Sequence, residues 1–130
     1  MKLERILFAD DDPDIQSVTK LALEVLGGYE VLLCSNGADV LKRVAGFEPD
    51  LILLDIMMPG MDGLATLRRL RSDSSTIKIP VVFLTAKAQT SEVKYFQNLG
   101  ALDVILKPFD PMTLAEQVQK IWGKNHGSAE

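Results

Sequence analysis

Three aspartates stand where apolar runs stop. Asp10 and Asp11 close the run Ile6-Leu7-Phe8-Ala9, and Asp55 closes Leu51-Ile52-Leu53-Leu54. Runs this short, ended by turn residues, read as buried parallel strands. Ligands of open α/β sheets bind beyond the carboxyl ends of the strands, where strand order reverses. Carboxylates gathered at two such ends suggest a site whose charge calls for a cation. Mg²⁺ suits it, since it takes a few carboxylates plus waters in octahedral geometry, and Mn²⁺ is the alternative. Two more strand ends add a hydroxyl and an ammonium: Thr85 after Phe83-Leu84, and Lys107 after Ile105-Leu106. A carboxylate can attack phosphorus as a nucleophile. Phosphoryl transfer needs little from a protein beyond positioning and neutralising the equatorial oxygens. A divalent ion, Lys107 and the Thr85 hydroxyl can each bind one such oxygen.

The elements that must position these groups are legible as alternating patterns. Strands are expected at residues 4–9, 29–34, 50–54, 80–84 and 103–106. The first helix has Asp12 as N-cap and Pro13 at its first position. Ile15, Val18, Leu21, Ala22 and Val25 form its expected inner face, and Gly27-Gly28 stop it. A second helix follows Asn36, turns Val40, Leu41 and Val44 inward and stops at Gly46. The third follows Asp62-Gly63 with Leu64, Leu67 and Leu70 on one face. The fourth starts near Thr90-Ser91 and ends at Gly100. In the last, Asp110 caps and Pro111 follows, with Leu114, Val118, Ile121 and Trp122 inward. Strict β-α alternation with short loops gives a parallel sheet covered by helices on both faces. Five repeats suggest a flavodoxin-like, doubly wound α/β fold of order 2-1-3-4-5, with strands 1 and 3 flanking the switch point. Residues 1–123 are expected to form one domain, followed by a polar tail over residues 124–130.

Bulk properties narrow the function. The chain has 130 residues, is 47% hydrophobic and 25% charged, and carries a net charge of -4, which suits one globular domain. That charge argues against nonspecific nucleic-acid binding, which needs a basic surface. The single cysteine, Cys34, excludes an intrachain disulfide and fits packing in a reducing, cytoplasmic setting. No apolar run reaches the length of a membrane span and no signal-peptide pattern opens the chain, so no membrane role is expected.

Four motifs occur together: Asp10-Asp11; Asp55-x-x-Met58-Pro59-Gly60-x-Asp62-Gly63; Leu84-Thr85-Ala86; and Lys107-Pro108-Phe109. In order and spacing the chain resembles the response-regulator receiver domains of two-component signalling, of the stand-alone chemotaxis-regulator kind, over residues 3–123. The resemblance implies a phosphoacceptor at Asp55, loaded from the phosphohistidine of a histidine kinase or a histidine phosphotransfer protein. It implies Mg²⁺ held by Asp11 directly and Asp10 through water, with Asp55 and the Met57 carbonyl as further ligands. Thr85 and Lys107 would contact the phosphoryl group, and the Lys107-Pro108 bond would be cis. Such a domain is a signalling switch that catalyses its own phosphotransfer and dephosphorylation, not a classical enzyme. Output would pass to a downstream protein through the face of helix 4, strand 5 and helix 5, with no direct nucleic-acid contact. The chain departs from the family at Val104, where receivers carry a Tyr or Phe whose rotamer moves with the threonine. Val is stiff at χ1 and has no ring to swing. Tyr95 on the fourth helix is the substitute reporter.

Blander readings apply to other residues. Asp12 and Asp62 serve as caps, Asp14 as a solvated first-turn acid. Arg68, Arg69 and Arg71 read as a solvated helix face, and His126 as part of the polar tail. The alternative function is a Mg²⁺-dependent phosphohydrolase working through an aspartyl-phosphate. Enzymes of that type carry an acid/base aspartate two residues after the nucleophile; here that position is Met57, which moves no proton. A receiver that only docks partners is argued against by the full residue set. A flavin module would need a Ser/Thr/Gly-rich loop after the first strand, and none is there.

Overall fold

The computed structural model describes residues 2–86 and 89–126, without the side chains of Thr90 and His126. Five strands, β1 (Arg5–Ala9), β2 (Glu30–Cys34), β3 (Leu51–Asp55), β4 (Val81–Thr85) and β5 (Asp103–Leu106), alternate with five helices. These are α1 (Pro13–Gly27), α2 (Gly37–Phe47), α3 (Gly63–Arg71), α4 (Thr90–Asn98) and α5 (Pro111–His126). The sheet runs β2-β1-β3-β4-β5, every neighbouring pair parallel, as expected for the flavodoxin-like winding. Four of the five strands sit one residue later than the sequence pattern suggests at one or both ends. As a result Asp55 and Thr85 are the last residues of β3 and β4.

Period-two alternation splits the core into two layers. Ile6, Phe8, Leu51, Leu53, Val82 and Leu84 pack beneath α1 and α5, against Leu23, Leu114, Val118 and Trp122. Leu7, Ala9, Ile52, Leu54, Val81 and Phe83 pack on the other face against Val40, Val44, Leu67 and Leu70 of α2 and α3. β3 is buried along its whole length, so truncating one of its leucines to Ala removes ~2–5 kcal/mol. That central strand carries Asp55 on its last residue.

Local chemistry sets the helix ends. The Asp12 carboxylate accepts from the Asp14 N–H at 2.9 Å, and Gly28 closes α1 in the left-handed region, donating to Glu24 O at 3.0 Å. Asn36 caps α2 through the Asp39 N–H, and Asp110 accepts from the Met112 N–H. The Lys107–Pro108 bond is cis.

Four expectations need correction. α1 buries Thr19, Ala22 and Leu23, whereas Val18, Leu21 and Val25 lie exposed. Two apolar stripes overlap on this helix, and contact with α5 selects the one through Leu23. α2 runs past Gly46 to Phe47 and ends on Glu48, at φ 54. There the Arg5 guanidinium takes the Phe47 carbonyl and stacks 4.4 Å over its ring, which secures the helix end. α5 continues through residues 124–126, into the stretch read as tail; residues 127–130 lie outside the described residues, as does the His126 side chain. Arg68 and Arg69 are exposed as expected, but Arg71 is partly buried against Gly100.

Candidate phosphoryl and metal site

The carboxyl ends of β1, β3, β4 and β5 meet at one edge. Asp10 follows β1, and its N–H bonds to Cys34 O at 3.1 Å. The side chain of Gln16 on α1 donates to Asp10 O and to the Ser35 hydroxyl, tying the loop after β1 to the end of β2. Beside Leu84 of β4, Asp55 closes β3, and the loop after it is pinned by Ile56 N–H to Leu84 O at 3.2 Å. Lys107 leaves β5 with its N–H on Thr85 O at 2.7 Å. One backbone bond thus couples the two strand ends that carry the hydroxyl and the ammonium.

Asp10 and Asp55 are nearly sealed from solvent, at 1% and 4% exposure, while Asp11 is exposed. Each of the three offers an oxygen within 4.8 Å of the others. The Lys107 Nζ donates to Asp10 Oδ2 at 2.9 Å and lies 3.2 Å from Asp55 Oδ2. The other oxygens of these acids are engaged as well. Asp10 Oδ1 accepts from the Asp12 N–H at 3.0 Å, and Asp55 Oδ1 from the Met57 N–H at 3.3 Å. Among the described residues, three acids stand against one ammonium, which leaves this set anionic.

Electrostatics follow from this crowding. Burial is the main force raising the pKa of Asp55; Lys107 opposes it, and Asp10 adds to it. Burial pulls the Lys107 ammonium down, but its hydrogen bond to Asp10 and the charges of Asp55 and Asp10 outweigh that, and its pKa is raised. A carboxylate whose charge is held at such a cost gains from a cation.

The donor set fits a hard divalent ion. Ligand oxygens at ~2.1 Å in an octahedron lie ~3–4 Å apart, and exposed Asp11 can swing to close the remaining gap. Sequence reasoning brought Asp10, Asp11, Asp55, Thr85 and Lys107 to this edge, and all five are there; Met57 follows in the adjoining loop, its side chain 78% exposed. Two supporting residues were missed. Gln16 is one, and a helix glutamine carries no sequence signal of what it reaches. The other is Gly63, read only as part of a turn and cap. A Cβ there would stand 2.6 Å from Asp55 O and 2.8 Å from Ile56 Cα, and its N–H bonds to Ile56 O at 2.9 Å. α3 therefore starts directly against the backbone of the acceptor residue. A glycine opening a helix after a turn is the available signal for such an approach.

Near the site, Val104 of β5 pairs in register with Phe83 and packs, half-buried, on the α2–α3 side. The aromatic contacts lie on α4 instead: Phe96 meets Phe83 edge-on at 5.3 Å and Tyr95 at 5.6 Å.

Comparison with known proteins agrees with this fold. The DNA-binding response regulator MtrA of Mycolicibacterium smegmatis is 39% identical over 116 residues, covering 89% of this chain and 49% of the relative. The phosphate regulon transcriptional regulatory protein PhoB of Pseudomonas aeruginosa is 38% identical over the same share of the chain and 50% of its own. The chain thus spans about half the length of these relatives. The structure of the chemotaxis response regulator CheY4 of Vibrio cholerae superposes with a TM-score of 0.84 at 27% identity, over 92% of this chain and 99% of that one. The family model described as the response regulator receiver domain matches residues 6–119. On the strength of that match, the fold and the shared identity, the chain belongs to the response regulator receiver domain family, and its role is that of a phosphoacceptor signalling module.

Proposed function

We propose that Asp55 is the phosphoacceptor, that Asp10, Asp11, Asp55 and the Met57 carbonyl hold Mg²⁺, and that Thr85 and Lys107 receive the transferred group. The observation that carries this is the Lys107 ammonium set between Asp10 and Asp55, at 2.9 and 3.2 Å, beside an exposed third acid. Asp10 has both oxygens engaged within the protein, which favours contact with the ion through water. No described hydrogen bond or ion pair occupies the carboxylate of Asp11, which leaves it for direct ligation. Bound Mg²⁺ supplies charge neutralisation at the incoming phosphoryl oxygens.

The chain's own residues do the rest. An Asp55 carboxylate oxygen attacks phosphorus as the bond to the donor histidine nitrogen breaks, and the imidazole leaves with its electron pair. Lys107, already paired with Asp55, takes a phosphoryl oxygen, and Thr85 another. The same groups speed hydrolysis of the aspartyl phosphate, so the module catalyses its own loading and unloading and is not a classical enzyme. The donor is a histidine kinase or a histidine phosphotransfer protein. Phosphorylation shifts the Thr85 end of β4, coupled to Lys107 through one backbone hydrogen bond, and so biases the α4–β5–α5 face toward a downstream protein. The unit runs past the expected boundary at residue 123 to the end of α5 at His126 and works in the cytoplasm; among the described residues no helix is long and apolar enough to cross a membrane. Its net charge of -4 favours a protein partner over direct contact with nucleic acid. Met57 in the position of an acid/base aspartate argues against a phosphohydrolase.

Phosphoramidate, a phosphorus–nitrogen donor, tests the proposal. It should label the chain with Mg²⁺ present and not with EDTA. Equal labelling in both would remove the metal from the reaction.

A further inference from the structure

The phosphoryl site sits at the carboxyl pole of the sheet. At the opposite pole, roughly 15 Å away along β4, a groove of about 380 Å³ opens between the end of α3, the residues before β4 and β5, and the end of α5. Arg71, Lys78, Gln97, Gly100, Leu102 and Asn125 are among its walls. Among the described residues two cations line it and no acid does. Neither cation forms an ion pair with a described residue, although the chain as a whole carries an excess of acid.

Arg71 is built into place. Gly100 stands at φ +113, and a Cβ there would press on the Arg71 Nε at 3.2 Å. The missing side chain leaves room for the Arg71 stem and Nε beside the turn after α4. Its Nη2 donates to Gly100 O at 2.9 Å. Tying α3 to that turn explains Nη2, but it leaves Nη1 buried with no partner among the described residues. A buried donor of a charged group without an acceptor is costly, and a turn tie alone does not require one. Neutral donors stand around the same groove. The side-chain amides of Gln97 and Asn125 each spend one N–H on a backbone carbonyl, Leu102 O and Ile121 O, and each has a second.

We propose that this groove is a second ligand site, which takes the phosphate group of a small phosphorylated molecule. A phosphate offers three or more acceptor oxygens and up to two negative charges, which matches a guanidinium, an ammonium and two amides better than a carboxylate does, with Arg71 turning to bring its sealed Nη1 to the anion. The groove is larger than the anion alone, so the remainder of a small organic phosphate has room.

Titration of the full chain with inorganic phosphate and with glycerol phosphate tests this, at constant ionic strength, in EDTA, followed by amide NMR. The wild type and Lys107→Ala are compared, because the variant removes the cation at the other pole. Saturable shifts at Gly100, Ala101 and Asn125 are expected in both, with a Kd of about 1 mM or tighter for the organic phosphate. Lys78→Met should weaken binding about tenfold by removing one charge-assisted contact. Lys78 is exposed, so this variant should fold as the wild type does. Arg71→Lys keeps the charge but loses the Nη1 donor and should weaken it further. No saturation at this pole by about 20 mM, shifts that vanish in Lys107→Ala, or binding indifferent to Lys78→Met would each overturn the site.

Discussion

Gly63→Ala probes the contact that sets the acceptor's position. The added Cβ would meet Asp55 O at 2.6 Å and Ile56 Cα at 2.8 Å, both inside the 3.4 Å at which ordinary contact begins. Both obstacles are backbone atoms, so no side chain can turn aside. Either the first turn of α3 moves outward or the end of β3 moves inward. Overpacking of this kind costs ~1–3 kcal/mol. Alanine returns part of that, ~0.4–1 kcal/mol, by restricting the unfolded chain. The net loss is about 1–2 kcal/mol, or ~4–8 °C in Tm for a chain of this size. A shift of a few tenths of an ångström at Asp55 should also slow phosphorylation about tenfold. Gly46→Ala is the control, since nothing lies within 4 Å of a Cβ there; it should be neutral or stabilising by up to ~1 kcal/mol. Thermal denaturation and the rate of labelling by a small phosphodonor read the two effects. If Gly63→Ala melts and reacts as Gly46→Ala does, the close approach of α3 to Asp55 plays no part in positioning it.

Mg²⁺ should raise the melting temperature, because an ion that binds only the folded state adds about 2.7 kcal/mol at 100 times its Kd. Asp11→Ala should lose most of that rise, and an undiminished rise would place the ion elsewhere. Lys107→Ala should leave Mg²⁺ affinity, measured by titration, within a few-fold. It should impair labelling of Asp55 by the ~1.5–3 kcal/mol of one charge-assisted contact. Collapse of metal affinity instead would make Lys107 a structural part of the metal site. With Val104 lacking a ring, NMR shifts on adding beryllofluoride should centre on Asp55, residues 85–99 and Lys107, reaching Tyr95 through Phe83 and Phe96. Large slow-exchange changes centred on Val104 and α5 would refute this route.

The strand ends were legible because strand burial and strand chemistry coincide. β3 is apolar on both faces up to Asp55, so the acid marks both the end of the run and the edge of the sheet. Thr85 and Lys107 follow the same logic. Sequence did not reveal how the charges distribute. That Lys107 bonds Asp10 and also reaches Asp55 depends on the β4–β5 register, with Thr85 beside Leu106. The inner face of α1 was misjudged because Val18, Leu21 and Val25 form as regular an apolar stripe as Ala22 and Leu23 support. Only contact with α5 decides between them. The end of α2 depends on Arg5, 42 residues earlier in the chain, which no local pattern reports. Arg71 looked like its neighbours Arg68 and Arg69, and only its place across from Gly100 distinguishes it.

The central claim is that Asp55 takes the phosphoryl group. Intact mass after incubation with acetyl phosphate and Mg²⁺ tests it most directly. The wild type should gain one phosphoryl mass and Asp55→Asn none, with the Asn variant folded and melting at or above the wild-type temperature, because it lacks one of the three charges crowded at the site. Full labelling of Asp55→Asn would contradict the assignment.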